Sequence, residues 1–374
     1  MRASCHVKCM LRFSFASGTW RKFDWVLFLT ALVLSLVGLA AIYSVDLSRG
    51  EELNFSSSQI IALCLGIAIC FVAFQFHISF YESTARFAYL ASLILLISVL
   101  LFGVTVRGTT GWFRLFGFSF QPAEFAKVAL VLFLAWRIER QGRRFEKWQF
   151  VVATFVMTLI LVGLILLQPD LGSSSILLFT WFGLLLVVGT KRRYIIGIVV
   201  AALAVAAIGW VFLFKDYQKE RVLTFINPER DPLGSGYNVT QSIIAIGAGQ
   251  LRGRGLGFGS QSQLHFLPEA QTDFIFSVIG EELGFVGSAI VLTLFSILVW
   301  RIVRIAEHSR SDFCSYVVVG IAFVFFFQIV VNMGAALGLL PVTGVTLPFL
   351  SYGGSSLIMN FLLIGIAQSA ARSS

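Results

Sequence analysis

Long apolar runs separated by short polar connections set the rhythm of this chain. They cover about 24–45, 57–76, 86–104, 122–138, 148–167, 172–189, 193–214, 274–303, 313–339 and 350–370. A helix needs roughly 20 mostly apolar residues to cross a bilayer. The pattern therefore predicts an all-α polytopic membrane protein with about ten transmembrane helices. The first run is too long for a signal-peptide core and lacks a convincing cleavage site, which makes it a retained helix. Residues 1–23 then form an N-terminal segment, and 24–370 the ten-span domain. One connection breaks the rhythm. Residues 215–272 make a 58-residue segment between the seventh and eighth spans, and loops of that length are usually functional. Its stretches 237–249 and 264–268 are rich in apolar residues. It reads as a partly helical extracytoplasmic loop that lies on the outer leaflet or dips into it, against protein or a wet cavity.

Composition agrees and excludes other classes. Of 374 residues, 57% are hydrophobic and 13% charged, about half the charged share of an ordinary soluble domain. Soluble, disordered and fibrous readings fall away. The five cysteines include no CxxC pair and the four histidines show no ligand spacing, so neither a disulfide framework nor a zinc site is built from them. The net charge is +9. With the N-terminus inside, 18 Lys and Arg residues fall on the inner side, including the block Arg137, Arg140, Arg143, Arg144 and Lys147. The short outer loops hold only Arg49, Arg107 and Arg114. This asymmetry predicts that both termini are cytoplasmic, and it accounts for most of the charge without a nucleic-acid surface.

Polar residues at the span ends carry the candidate chemistry, because a charge at the centre of a membrane helix costs about 2.5–3.5 kcal/mol. Glu124 follows Gln121-Pro122, Asp170 follows Gln168-Pro169, and Asp273 follows Gln271-Thr272. All three fall at outer N-terminal ends of inward-running helices. Proline and a carboxylate also suit an ordinary helix start, yet three acids at one level beside a long loop favour a shared site. Lys127 lies three residues after Glu124, on the same helix face. The pair is either structural or presents an ammonium to an anionic ligand. The eighth run carries Asp273, Glu281 and Glu282 ahead of its apolar core at 285–303. Either the helix projects beyond the membrane or a separate piece precedes it, and the two glutamates read as interfacial structural acids. Arg221, Arg252 and Arg254 are possible diphosphate partners. The glycine-rich Gly253-Arg254-Gly255-Leu256-Gly257-Phe258-Gly259 lacks the strand-before, helix-after context of a nucleotide loop.

Several longer motifs carry a family resemblance. They are Phe120-Gln121-Pro122-Ala123-Glu124-Phe125-Ala126-Lys127, Gln168-Pro169-Asp170-Leu171-Gly172 and Asp231-Pro232-Leu233-Gly234-Ser235-Gly236-Tyr237-Asn238. Two more are Phe266-Leu267-Pro268-Glu269-Ala270-Gln271-Thr272-Asp273 and Leu347-Pro348-Phe349-Leu350-Ser351-Tyr352-Gly353-Gly354-Ser355-Ser356. Together they resemble the SEDS family (shape, elongation, division and sporulation) over roughly residues 22–370. Asn238 and the Gln261-Ser262-Gln263-Leu264 stretch look most like the RodA branch, with the FtsW branch as the near alternative. Two departures stand out. Gln271 replaces the family's usual histidine, and the usual Arg-Trp pair is Gly111-Trp112, with Arg114 close by.

The resemblance implies a peptidoglycan glycosyltransferase that polymerises lipid II at the outer face of the bacterial cytoplasmic membrane. Asp273 matches the family's essential aspartate and would be the general base of an inverting displacement. Glu124, Lys127, Asp170, Trp112, Gln121 and Arg221 would bind substrate. Lys127, a loop arginine, or a Mg²⁺ or Mn²⁺ ion held by Glu124 and Asp170 would stabilise the leaving diphosphate. A class B penicillin-binding protein is the implied partner. Two readings of other kinds stay open at this point, a flippase for lipid-linked precursors and a non-catalytic scaffold for a transpeptidase.

Overall fold

The computed structural model describes residues 22–48, 54–106, 108–115, 118–141, 147–213 and 235–373, with Lys219, Leu223 and Phe225. Helices dominate. In chain order they begin with α1 (Trp25–Ser48), α2 (Asn54–Gln75) and α3 (Ile78–Phe102). The strands β1 (Val104–Val106), β2 (Thr109–Leu115) and β3 (Phe118–Phe120) follow. Next come α4 (Pro122–Gln141), α5 (Trp148–Leu166), α6 (Leu171–Val188) and α7 (Arg192–Ile208), the last running on into a π-helical turn, Gly209–Leu213. The chain continues with α8 (Ser235–Ala248), α9 (Ser260–Gln263), α10 (Ile275–Glu307), α11 (Asp312–Ala336) and α12 (Gly354–Ser373).

Among the described residues, nine helices are long and apolar enough to cross a membrane. The fourth expected span is α4, whose 20 residues include Glu124, Lys127, Arg137, Glu139 and Arg140. This helix tolerates its charge because it meets protein rather than lipid, touching α3, α5, α6, α11 and α12. The outer helices show the reverse pattern. In α3 the apolar side chains Phe87, Leu90, Ile94, Ile97 and Leu101 are exposed at helical spacing. Apolar surface turned outward is what hydrocarbon as solvent selects. At Gly365, which packs α12 on α2, a side chain would come within 2.6 Å of the Cys70 carbonyl oxygen, the close backbone approach typical of membrane helix pairs.

Three features refine or differ from the pattern-based expectation. The connection before α4 is a three-stranded antiparallel sheet in the order β1-β2-β3, so the helical fold carries a small strand element. Opposed pairs include Val104–Trp112 and Phe113–Phe120. The eighth span decides between the two readings left open by its sequence: it is a broken helix with a separate piece before the core. Gly284 sits at φ 67° and ψ −160° within α10, a region that is essentially glycine's alone. A separate piece, Ile275 to Leu283, therefore precedes the crossing part. The 249–257 stretch fills the break. Phe285 and Val286 donate to the Gln250 and Leu251 carbonyls at 2.8 and 3.1 Å, while Arg254 and Gly255 donate to the Glu281 and Glu282 carbonyls at 3.0 and 2.9 Å.

The third difference concerns the two glutamates, which are structural but buried, at 0% and 1% exposure. Glu281 accepts from the Gln261 and Ser262 amides at 2.7 and 3.1 Å, holding the start of α9. Glu282 accepts from Ser44 Oγ at 2.5 Å. In the long connection, α8 packs on α10 and α11. Ser242 Oγ lies 2.6 Å from both Ser277 Oγ and the Ala336 carbonyl oxygen.

Candidate active site

The outer-end motifs converge on one cavity of about 690 Å³. Its wall includes Glu124, Lys127, Asp170, Trp112, Gln121 and Asp273. Of the site residues expected from sequence, Arg221 lies outside the described residues, Arg252 and Arg254 do not line the cavity, and the others meet here. Helix starts do most of the positioning. Pro122 opens α4, which puts Glu124 in its first turn and Lys127 one turn deeper. The two charges pair at 2.7 Å, both nearly fully buried.

Asp170 caps α6. Its Oδ1 accepts from the Ser173 amide at 2.9 Å, and its Oδ2 accepts from Ser173 Oγ at 2.7 Å and Gln121 Nε2 at 3.1 Å. Burial pushes this carboxyl above the usual carboxylate range, and the charge of Glu124 adds to the rise, while the Ser173 donors and Lys127 oppose it. Trp112 and Arg114 stand two residues apart on β2, hence on one face of the strand, and both line the cavity.

Asp273 sits in the turn before α10, and its backbone is held from two sides. Asn332 Nδ2 on α11 donates to the Asp273 carbonyl at 3.0 Å and to the Val345 carbonyl at 2.8 Å. The 347–353 segment holds the preceding residues. Ser351 Oγ donates to the Thr272 carbonyl at 2.6 Å, and the Tyr352 amide to the Gln271 carbonyl at 2.8 Å. The turn that carries Asp273 is thus fixed at the cavity wall by contacts to residues 59 to 79 positions away.

The loop arginines proposed from sequence do not join the site. Arg252 and Arg254 are absent from its wall, and the Arg254 guanidinium is spent on the Ala248 carbonyl and Ser260 Oγ. The glycine-rich stretch, already unlike a nucleotide loop in sequence, spends the amides of Arg254, Gly255 and Gly257 on α10, Gly257 donating to Glu282 Oε1 at 3.3 Å.

The carboxylate pair Glu124 and Asp170 does not fit a cation cage. Glu124 is already neutralised by Lys127, and both Asp170 oxygens face N–H and O–H donors. Among the described residues no group of three or more His, Cys, Asp or Glu is placed to hold a metal ion. Positive charge comes instead from Lys127 and Arg114.

Sequence reasoning missed Asn332 and Gln328. Both are buried polar residues in the apolar run of α11, four positions apart, and that spacing was the available signal.

Residues 24–374 match the family described as cell cycle protein, that of FtsW, RodA and SpoVE. The chain belongs to the SEDS family. Several curated relatives resemble this SEDS protein over nearly its whole length. The probable peptidoglycan glycosyltransferase FtsW of Haemophilus influenzae is 38% identical over 92% of this chain and 89% of its own. The peptidoglycan glycosyltransferase MrdB of Escherichia coli K12 is also 38% identical, over 92% of each chain. Stage V sporulation protein E of Bacillus subtilis is 34% identical over 93% of this chain and 97% of its own. Among solved structures, a chain from a peptidoglycan synthase complex that coordinates polymerization and crosslinking superposes with a TM-score of 0.80. It is 34% identical and the match covers 94% of this chain and 98% of that one. The rod shape determining protein RodA of Thermus thermophilus superposes at 0.70, with 31% identity over 94% and 97% of the two chains.

Proposed function

We propose that this chain, a peptidoglycan glycosyltransferase of the SEDS family, polymerises lipid II at the outer face of the bacterial cytoplasmic membrane, with both termini in the cytoplasm. One observation carries the reading: Asp273 and the Glu124–Lys127 ion pair line the same cavity. Polymerisation calls for a base beside an attacking hydroxyl and a cation beside a departing diphosphate.

In this reading Asp273 accepts the proton of the 4-hydroxyl of one GlcNAc. The oxygen forms a bond to C1 of another chain's MurNAc. The C1–O bond to phosphate breaks, and its electron pair leaves with the polyprenyl diphosphate. A single displacement turns the α-linked donor into a β-linked product with no covalent enzyme intermediate. A placed carboxylate typically contributes about 10²–10⁴-fold. Lys127 and Arg114 stabilise charge building on the leaving group, where exclusion of water strengthens each interaction. Asp170 holds Gln121 in place, and Trp112 offers a flat apolar face to a sugar ring.

The decisive experiment is polymer formation from lipid II by purified protein. Wild type makes glycan strands; a folded Asp273→Asn variant makes none. Translocation of lipid II without polymer would instead establish a flippase.

The finer role proposed is cell elongation and rod shape, supported by the likeness of Asn238 and Gln261-Ser262-Gln263-Leu264 to the RodA branch. Division is the second reading, because relatives named FtsW and MrdB match at equal identity. Rescue of cells depleted of their elongation or division polymerase separates the two. The proposed partner is a class B penicillin-binding protein, in line with the synthase complex noted above.

A further inference from the structure

Helix α11 brings two amide side chains to the site one turn apart, and only one of them is used. Asn332 spends its Nδ2 on the Asp273 and Val345 carbonyls. Gln328, four residues earlier on the same face, lines the cavity and is 0% exposed. Neither its Oε1 nor its Nε2 has a hydrogen-bond partner among the described residues. A buried amide with both ends unpaired is costly, and an apolar side chain of the same size would be more stable there. An unpaired carboxamide on the wall of a cavity shared with Asp273 and Lys127 is prepared for a partner that arrives with the substrate.

The chemistry of the side chain narrows that partner. A carboxamide both donates and accepts. An ionised diphosphate only accepts, so it would pair with Nε2 and leave Oε1 buried and unpaired. Lys127 and Arg114 already supply that group with cations. The acetamido group of an N-acetylated sugar has its N–H and carbonyl on opposite edges of a trans amide, so a glutamine side chain donates Nε2 to that carbonyl and accepts at Oε1 from an adjacent ring hydroxyl. We propose that Gln328 is a substrate-binding residue that recognises the acetamido group of an N-acetylated sugar. This rests on the polymerase reading above, and it adds a contact that distinguishes 2-acetamido sugars from sugars bearing a 2-hydroxyl.

The test separates the two ideas by reading binding rather than turnover. Full-length Asp273→Asn protein in detergent, with and without Gln328→Met, is titrated with lipid II and with polyprenyl diphosphate, which lacks sugars. The expected result is about tenfold weaker lipid II binding, the effect of losing a paired buried amide, with polyprenyl diphosphate affinity unchanged. The melting temperature should not fall, because an unpaired amide has been replaced by an apolar chain of similar shape. Equal losses for both ligands would assign the contact to the diphosphate and overturn the acetamido proposal. Unchanged lipid II binding would overturn the site altogether. Gln328→Leu also removes both polar ends, and it should weaken lipid II binding as well; it serves if the methionine variant does not fold. Polymer formed by Asp273→Asn would defeat the base assignment and leave this binding readout intact.

Discussion

Asp273 and the Glu124–Lys127 pair pose the sharpest questions at the scale of single residues. The Asp273 main chain is tied to Asn332, and its neighbours to Ser351 and Tyr352, so the carboxylate is presented on a braced turn. Asp273→Asn removes the basic oxygen and keeps the shape. Polymerisation from lipid II should fall to background while the elution profile and melting temperature stay near wild type. The ion pair behaves differently. Each partner is nearly fully buried, and removing one leaves the other without compensation, a loss of about 3–5 kcal/mol for buried pairs. Glu124→Ala and Lys127→Ala should therefore be damaged to a similar degree, and the double variant, which strands no charge, should lose less than the two single losses added together. A double-mutant cycle on melting temperature and activity measures this, and additive losses would show that the two do not act as a unit.

Among the elements, α10 shows how function shapes a helix. An unbroken 33-residue helix would carry Glu281 and Glu282 on a regular ladder; here the ladder stops at Gly284 and the 249–257 stretch supplies the missing partners. Gly253 makes this possible. At φ +77° it approaches so closely that a side chain would meet the Glu282 carbonyl oxygen at 2.1 Å. The arrangement lets the first piece of α10 follow the turn of Asp273 while the second crosses the membrane. Gly284→Ala meets a backbone region essentially closed to alanine, at about 1–3 kcal/mol, and adds a clash with the Gly253 amide nitrogen at 2.3 Å. We expect a lower melting temperature together with reduced polymer yield, since the strain lies between the site and the span. A thermal shift series with parallel lipid II assays checks both. A variant as stable and active as wild type would show that the break is not required.

Taken as a whole, the molecule is a bundle with polar chemistry gathered inside and apolar side chains outside. That layout invites a partner for the steps it does not perform. Under the partner proposal, cross-linking falls to a class B penicillin-binding protein. We expect the isolated protein to polymerise slowly and its cognate class B transpeptidase to raise the initial rate. The rate should rise equally when the transpeptidase's own active-site serine is absent. Initial rates at saturating partner, with complex formation verified, decide this; an unchanged rate leaves stimulation without support. Orientation is checked at the same scale. Cysteines placed near either terminus should react with membrane-impermeant reagents only after cells are opened.

Much of this was legible in the residues alone, because the relevant forces are local. Twenty apolar residues span a bilayer wherever they occur, and Gln121-Pro122 with Glu124 starts a helix by its own backbone chemistry. The spans, the basic asymmetry and the placement of Glu124, Asp170 and Asp273 at helix starts follow from such short-range rules. The three short strands escaped notice, since a seven-residue β2 between apolar helices has little pattern of its own. The separate piece before residue 285 was one of two readings the sequence allowed; only the φ value of Gly284 decides for it, because glycine is common in membrane helices. What tertiary structure alone decided was the meeting of residues 121–127, 170, 271–273 and 328 around one cavity, and which polar groups there are spent. Asn332 and Gln328 are the same kind of side chain one turn apart on one helix. Only the packing of distant segments pairs the first with Asp273 and leaves the second unpaired, because a hydrogen bond depends on where a partner sits in space rather than along the chain.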